Sequence, residues 1–390
     1  MRVLVCPQEF RGSLTAEEAA SAIARGARRA LDRSGVASRV IEQPIADGGP
    51  GTLSVLTAAA GAARVLRVHV AGPLGDPVGA RLALLPGSAG TPVAVIESAE
   101  ACGLGRVPEG RRDPGRATTR GVGELVARAL AEGAREIVVG VGGTATNDGG
   151  AGAARVLGLA LRDAAGAPLA EGGEALAGLA RIERAQGASS PEALGGATLR
   201  IAVDVANPLL GPQGAIAVYG PQKGVEAALA GRLEAGLERW AARCREDLGV
   251  DLSEIEGAGA GGGLPVGLLT AASAGGAGGQ IESGAAFVGE AVGFAAAARQ
   301  ADLIITGEGR LDEQSAFGKA TRYAADVAAV AGRPCLAVCG EVASRPAGVL
   351  DAEGAGAGRP AEEAMRRADE LVTLAADRLL TRFLAAGTAG

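Results

Sequence analysis

The stretch RVLVCPQEFRGSLTAEEAA, residues 2–20, places an apolar run, a polar turn and the start of a helix in direct succession. Residues 3–5 are apolar and predict a short buried strand. Thr15 and Glu18 have the spacing of a capping box, and apolar residues then recur at helical intervals from Ala19 to Leu31. The segment therefore predicts a strand–turn–helix unit whose turn carries an arginine, a glycine and a serine.

The same alternation extends outward from this unit. A second strand within 37–49 and a helix at 52–61 follow, whereas residues 64–100 hold three short segments typical of an antiparallel meander. Strand–helix alternation returns near 286–340, and a long amphipathic helix closes the chain. We predict an α/β fold of two domains: a parallel-sheet domain built from both chain ends (1–65 plus 281–390) and an inserted mixed α/β domain (66–280).

Composition excludes several classes of function. The net charge of −6 comes without a cluster of Lys and Arg, so we expect neither a nucleic-acid nor a membrane partner. The longest uncharged stretch, 257–281, is too weakly apolar to span a bilayer, and a cytoplasmic protein is expected. The single histidine, His69, has no His or Cys at ligand spacing, which argues against a zinc site or a histidine triad. The five scattered cysteines are predicted to be buried, reduced thiols.

Four glycine-rich polar turns each follow a predicted strand: FRGS (10–13), ADGGPGT (46–52), GGTATNDGG (142–150) and TGEGRLDEQS (306–315). Ligands of open α/β sheets gather at the carboxyl ends of strands, where glycine lets backbone N–H groups approach an anion. The carboxylates in these turns would repel a phosphate unless a hard cation such as Mg²⁺ lay between them. One such turn is ordinary, but the four together indicate a site for a nucleotide with Mg²⁺. No P-loop is present, and the G-x-G-x-x-G fingerprint is missing after the first strand.

Nine segments of the chain resemble, in order, the motifs of the type I glycerate kinase family. They are FRGSLTAEE, ADGGPGT, AGPLGDPV, ATTRGVGELV, GVGGTATNDGGAG, DVANPLLGPQGA, YGPQKG, AGGGLPVGLL and ITGEGRLDEQS. The resemblance implies phosphorylation of D-glycerate by ATP with Mg²⁺, with 2-phosphoglycerate the preferred product. It also implies a flavodoxin- or Rossmann-like domain, an inserted domain resembling a restriction-enzyme fold, and a reaction in the cleft between them.

The resemblance also supplies candidate roles for residues at matching positions. We hypothesise that Arg11, together with Arg310 or Lys319, contacts the substrate carboxylate or the phosphates. Either Asp204 or Asp312 would accept the proton of the glycerate hydroxyl, and Asp148 or Glu308 would hold Mg²⁺. The other substrate- and phosphate-binding candidates are Ser13, Asp47, Gly48, Gly49, Thr144, Asn147 and Asn207. The alternative roles are structural, with Asp204 capping a turn and Asp312 capping a helix.

The first two loops depart from the usual family pattern. Gln8 stands where Asp is usual, Glu9 replaces Ser, Arg11 replaces Lys, and Pro50 replaces Glu. Gln8 and Pro50 each remove a carboxylate, Glu9 adds one, and Arg11 replaces a point charge with a planar fork. Three functions stay open: a D-glycerate kinase, a kinase of the same scaffold acting on another small hydroxy acid, and a catalytically impaired ligand-binding relative. The expected oligomeric state is a monomer or a homodimer.

Overall fold

The computed structural model describes residues 1–87, 90–185, 194–311 and 320–387. The chain forms two compact units, the first made of Met1–Asp47, Ser54–Ala59 and Ser283–Gly390, and the second of Gly48–Leu53 and Ala60–Glu282. Each unit has its own principal sheet, so the predicted α/β fold with two sheet domains is confirmed. The domain limits proposed from the sequence stay a prediction, and the compact units differ from them mainly at residues 48–53 and 60–65.

The described ranges contain the following strands and helices. The strands are β1 (Arg2–Pro7), β2 (Arg39–Glu42), β3 (Arg64–Ala71), β4 (Pro77–Leu85), β5 (Val93–Glu97), β6 (Glu136–Gly140), β7 (Leu159–Arg162), β8 (Arg181–Arg184), β9 (Thr198–Val203), β10 (Gly278–Ser283), β11 (Leu303–Leu311), β12 (Cys335–Val342) and β13 (Asp351–Gly354). The helices are α1 (Ala16–Arg33), α2 (Thr52–Ala60), α3 (Ala99–Cys102), α4 (Arg120–Ala131), α5 (Ala151–Val156), α6 (Ala215–Lys223), α7 (Ala227–Leu248), α8 (Leu264–Ala274), α9 (Gly284–Ala291), α10 (Phe294–Gln300), α11 (Ala320–Val330), α12 (Ala361–Arg366) and α13 (Ala368–Gly387).

The first unit is a five-stranded sheet in the order β13-β12-β11-β1-β2, with every neighbouring pair parallel. Helix α1 begins at the predicted capping box, in which Thr15 and Glu18 exchange backbone and side-chain hydrogen bonds. Its apolar face packs with α13 over one side of the sheet. A Cβ at Gly26 would lie 2.2 Å from the carbonyl oxygen of Thr373, so the two helices can approach this closely only because residue 26 is glycine.

The second unit contains a six-stranded mixed sheet in the order β10-β9-β6-β5-β4-β3. Strands β3, β4 and β5 form the predicted antiparallel meander, while β6 runs parallel to both β5 and β9. The core is built largely from Ala, Val, Leu and Ile, and Trp240 is its largest fully buried side chain. The parallel centre of this sheet brings the carboxyl ends of β5, β6 and β9 to one edge.

One predicted turn begins later than the sequence suggests. The segment from residue 306 to 311 was expected to be a turn, but β11 continues through Leu311. It does so because its residues pair in parallel with β12, with Glu308 opposite Cys339 and Arg310 opposite Glu341. All five cysteines are buried thiols, as predicted. Within the described residues, none of the helices combines the length and the apolar character that crossing a membrane requires.

Candidate active site

In the first unit, three chain segments meet at the carboxyl edge of the sheet. The backbone N–H of Gln8 donates to the carbonyl of Gly307 at 2.9 Å, and that of Ile45 donates to the carbonyl of Pro7 at 3.0 Å. Residues 8–15, 43–47 and 307–311 therefore lie side by side where parallel α/β sheets bind ligands.

The loop between β1 and α1 is a tight turn anchored by a buried aromatic ring. Phe10 is buried and forms a β-bridge with Leu14, and the Ser13 hydroxyl donates to the Phe10 carbonyl at 2.9 Å. Gly12 closes the turn with a φ of +79°, a left-handed conformation that favours glycine. The turn holds Arg11 exposed at its tip, ahead of the capped N-terminus of α1.

Three charged groups interact around this tip. Burial raises the pKa of the Glu9 carboxyl, the charge of Arg11 lowers it, and the charge of Asp47 raises it again. The positive charge of Arg11 therefore interacts with the carboxylate of Glu9, a position where the family usually has serine. An anionic ligand at Arg11 competes with Glu9 for that charge.

Gln8 and Glu308 form a buried pair at the same edge. The Gln8 amide Nε2 donates to the Glu308 carboxylate Oε2 at 3.2 Å, and both side chains are buried. A neutral amide donor offsets part of the cost of burying a carboxylate. The aspartate that the family usually carries at position 8 would instead place a second carboxylate at this position.

In the second unit, the loop that follows β6 is held by Asp148. This carboxylate is fully buried and accepts four hydrogen bonds: from the N–H and hydroxyl of Thr119, both at 2.9 Å, and from the N–H groups of Gly150 and Gly152, both at 3.2 Å. Burial raises its pKa, and these donors lower it. Three of these hydrogen bonds end on Oδ2 and one on Oδ1, so Asp148 anchors the loop.

Asn147 is also fully buried and bonded within the protein. Its amide Nδ2 donates to the Pro114 carbonyl at 3.2 Å, while its Oδ1 accepts from Lys223 Nζ at 3.4 Å. Lys223 also donates to the Thr146 carbonyl at 2.7 Å, and burial lowers its pKa to about 8. The Asn147 amide is therefore buried and bonded on both sides, and its ligand contact stays a prediction.

Lys223 is a buried charged residue beside this loop that the sequence did not predict. Nothing in the motif YGPQKG distinguishes a buried lysine from an exposed one. Lys223 lies in the last turn of α6, and the end of this helix faces the loop after β6.

Close backbone packing shapes the same loop. A Cβ at Gly262 would lie 1.9 Å from the Thr146 carbonyl oxygen, and Gly149 donates its N–H to the Gly262 carbonyl at 2.9 Å. The Thr146 hydroxyl donates to the Gly261 carbonyl at 3.1 Å. The Thr144 hydroxyl oxygen is buried and has no hydrogen-bond partner among the described residues. The glycines of AGGGL are therefore required by contact between two loops.

The Asp-Gly-Gly segment packs on the end of β6. A Cβ at Gly140 would lie 2.2 Å from the Gly48 carbonyl oxygen, and a Cβ at Gly142 would lie 2.9 Å from the Gly49 Cα. The Glu97 carboxylate accepts from the N–H of Leu53 at 2.6 Å, in the first turn of α2. Gly48 and Gly49 thus have packing roles in addition to any ligand contact.

Asp204 lies directly after β9 and is half-buried. Burial raises the pKa of the Tyr219 hydroxyl, and the charge of Asp204 raises it further, so the two groups are close. The Tyr219 hydroxyl donates to Asn207 Oδ1 at 2.5 Å, and Asn207 Nδ2 donates to the Gln213 carbonyl at 2.8 Å. Asp204 is therefore a partly accessible carboxylate in a hydrogen-bonded setting, which suits a proton acceptor.

The structure thus divides the predicted site residues between the units. The first unit contains Arg11, Ser13, Asp47, Glu308 and Arg310, and the second contains Gly48, Gly49, Thr144, Asn147, Asp148, Asp204 and Asn207. Asp312 and Lys319 lie outside the described residues. Arg310 is exposed and lies 3.5 Å from the Glu341 carboxylate.

The carboxylates differ in how well they suit a magnesium ion. Among the described residues, no group of three His, Cys, Asp or Glu side chains could enclose a metal. Mg²⁺ that binds with substrate phosphates needs only one or two protein carboxylates. Asp148 is fully buried and accepts four hydrogen bonds within the protein, and its metal role stays a prediction. Glu308 is the other candidate among the described residues, and its partner Gln8 is a neutral amide.

Comparison with known proteins gives one consistent result. The model of the glycerate kinase family matches residues 3–384. The chain is 42% identical to the glycerate kinase of Bacillus subtilis over 342 residues, covering 88% of this chain and 85% of that protein. It is 37% identical to the glycerate 2-kinase of Escherichia coli over 343 residues, covering 88% and 86% of the two chains. A crystal structure described as a glycerate kinase 2 from Salmonella typhimurium LT2 aligns over 100% of both chains, with 36% identity and a TM-score of 0.78. The chain therefore belongs to the glycerate kinase family.

Proposed function

We propose that this chain transfers the γ-phosphoryl group of ATP to D-glycerate, with 2-phosphoglycerate as the product. The match to the family over residues 3–384 carries the proposal. The choice of the C2 hydroxyl rests on the similarity to the glycerate 2-kinase of Escherichia coli. In the reaction, the glycerate oxygen forms a bond to the γ-phosphorus, the bond from that phosphorus to the bridging oxygen breaks, and ADP leaves.

Asp204 is proposed as the group that accepts the hydroxyl proton. It is half-buried at the end of β9, and Tyr219 lies close enough for the Asp204 charge to raise its pKa. A general base must reach the proton it removes, and a partly accessible carboxylate meets that requirement better than a saturated one. Asp312 remains the alternative base, and it lies outside the described residues.

Positive charge for the anionic ligands is proposed to come from Arg11, with Arg310 or Lys319 as its partner. Arg11 is exposed at the tip of the loop before α1, and Arg310 is exposed on β11. Phosphoryl transfer depends mostly on positioning and on neutralising charge, which guanidinium groups supply. Ser13, Asp47 and Thr144 remain proposed contacts at the strand ends.

Mg²⁺ is proposed to accompany ATP, where it would neutralise charge on the transferring phosphates. Among the described residues, Glu308 is our candidate for holding the ion. For Asp148 we propose a positioning role, because its four hydrogen bonds hold the loop after β6 to the start of α4 and α5.

A coupled assay of ADP release tests this function. The purified chain is incubated with ATP and Mg²⁺, and with D-glycerate, L-glycerate or other small hydroxy acids as acceptors. We expect turnover with D-glycerate and little with L-glycerate. Phosphorus NMR of the product then distinguishes 2-phosphoglycerate from 3-phosphoglycerate. Efficient turnover of another acceptor, but not of D-glycerate, would contradict the proposal.

A second candidate, a kinase of another small hydroxy acid, is favoured by one observation. Glu9 lies close enough to Arg11 for the two charges to interact, at a position where the family usually has serine. A carboxylate beside the anion-binding arginine weakens binding of a compact acid such as glycerate. The acceptor series in the same assay distinguishes the two candidates.

A further inference from the structure

The second unit contains a polar cavity that the proposed roles leave unused. Its volume is about 570 Å³, which lies in the range typical of small-molecule sites. It is lined by residues 74–76, by Arg111, Asp113, Arg116 and Thr118, and by residues 170–171. Two of these segments belong to the motifs AGPLGDPV and ATTRGVGELV or directly precede them.

The carboxylates of this cavity are already engaged. Asp76 pairs with Arg111 at 3.5 Å, and Glu171 pairs with Arg120 at 3.2 Å. The Asp113 carboxylate accepts the backbone N–H of Arg116 at 3.1 Å and so caps its own turn. Asp76 and Glu171 are therefore paired with arginines, whereas Asp113 accepts a hydrogen bond from the backbone.

Arg116 differs from the other charged residues of the cavity. Its guanidinium group forms no hydrogen bond or ion pair with any of the described residues, and it lines the cavity. A guanidinium group presents a planar fork of donors that matches the oxygens of a phosphate. Asp76 and Glu171 are paired with other arginines, so Arg116 is the cation of this cavity that has no partner among the described residues.

The backbone that carries Arg116 is held rigidly from the loop after β6. Asn147 donates to the Pro114 carbonyl at 3.2 Å, and Thr119 donates twice to Asp148 at 2.9 Å. On the other side, a Cβ at Gly172 would lie 2.7 Å from the Arg116 Cα. Asn147 and Asp148, the two buried residues of the loop, thus hold the cavity wall on both sides of Arg116.

We propose that this cavity binds a phosphate group through Arg116, with Asn147 and Asp148 as positioning residues. The ligand class rests on the proposed kinase function, which supplies two sources of that phosphate: the nucleotide and the phosphoglycerate product. The cavity itself is formed within the second unit alone.

Titration calorimetry on the full chain tests the proposal with ADP and, separately, with 2-phosphoglycerate. Arg116→Gln is expected to weaken the binding of one of them about tenfold or more, as loss of a charge-assisted hydrogen bond predicts. Arg116→Lys should weaken it less. Arg128→Gln, which removes an arginine paired with Glu132 on α4, is the matched control and should bind like wild type. The ligand that responds identifies the source of the phosphate.

If Arg116→Gln bound ADP and 2-phosphoglycerate as tightly as wild type binds each of them, the proposal would be overturned. Protection of Arg116 from phenylglyoxal, measured by mass spectrometry on the wild-type chain, gives an independent result. Protection by neither ligand would also overturn it. These experiments measure binding, so they test the cavity separately from the kinase function. Binding that depends on Arg116 without turnover of D-glycerate would reject the kinase function and leave the cavity assignment standing.

Discussion

The amide nitrogen of Gln8 lies 3.2 Å from a carboxylate oxygen of Glu308, and the two side chains are buried together at the carboxyl edge of the first sheet. An amide at position 8 gives Glu308 a neutral hydrogen-bond donor as its neighbour. The carboxylate that the family usually carries at this position would repel Glu308.

Gln8→Asp is therefore expected to create a carboxylate pair that depends on a cation. In EDTA at pH 8 the variant should unfold several degrees below wild type, and Mg²⁺ should restore more stability to it than to wild type. Thermal unfolding with and without Mg²⁺ measures this. The double variant Gln8→Asp/Glu308→Gln is the control, because it removes the repulsion. Identical Mg²⁺ responses of wild type and Gln8→Asp would contradict the prediction.

Glu9→Ser is expected to lower the KM for the acidic substrate several-fold, because it removes the carboxylate that competes for Arg11. Burial raises the pKa of Glu9, so the wild-type KM should fall as the pH drops through that pKa and Glu9 becomes neutral. The variant should lack this pH dependence. Steady-state kinetics between pH 5 and pH 8 measure both effects. Glu17→Ser, in the first turn of α1, is a control of the same chemistry.

Asp204→Asn is expected to lower kcat by a factor of about 10² to 10⁴, as loss of a general base does, with unchanged thermal stability. The pKa of Tyr219 should fall, because one of the two causes that raise it is the Asp204 charge. Ultraviolet titration of the tyrosines measures this, and Tyr219→Phe identifies the signal. A variant with wild-type kcat would exclude Asp204 as the base and favour Asp312.

Asp148→Ala is expected to destabilise the fold by about 3 kcal/mol, because it leaves buried N–H and hydroxyl donors without an acceptor. Urea denaturation measures the loss in the free energy of unfolding. Asp326→Ala, which removes an ion pair with Arg322 on α11, is the control and should change the stability much less. Unchanged stability combined with a large rise in the Mg²⁺ requirement would instead support the metal-ligand role expected from the sequence.

Lys223→Met is expected to change how stability depends on pH. Because burial lowers the pKa of Lys223 to about 8 from 10.5, the folded chain loses this proton before the unfolded chain does. The free energy of unfolding of wild type should therefore increase as the pH rises from about 8 to 10.5, because the unfolded state binds more protons than the folded state in this range. The variant should lack that slope. It should also be less stable at pH 7, because the Thr146 carbonyl loses its donor. Urea unfolding at several pH values measures both, and equal slopes would contradict the prediction.

The features that the sequence predicted well are local ones. The capping box at Thr15 and Glu18 depends on residues three apart, and the meander of β3, β4 and β5 depends on neighbouring segments joined by short turns. The order of the polar turns along the chain likewise placed candidate residues near strand ends. Patterns of this kind are set by short-range backbone geometry, which a sequence displays directly.

The role of each polar residue was decided by partners far away in the chain. Gln8 meets Glu308 across a separation of 300 residues because β1 and β11 are adjacent in the sheet. Strand β11 extends through Leu311 because it pairs with β12. Two of the four hydrogen bonds that Asp148 accepts come from Thr119. A sequence shows which side chains follow a strand, but whether each is buried, bonded or open to a ligand depends on strand order and on the segments packed against it. The hydrogen bonds that hold Asn147 and Asp148 are an example, because their partners Pro114 and Thr119 lie about 30 residues earlier in the chain.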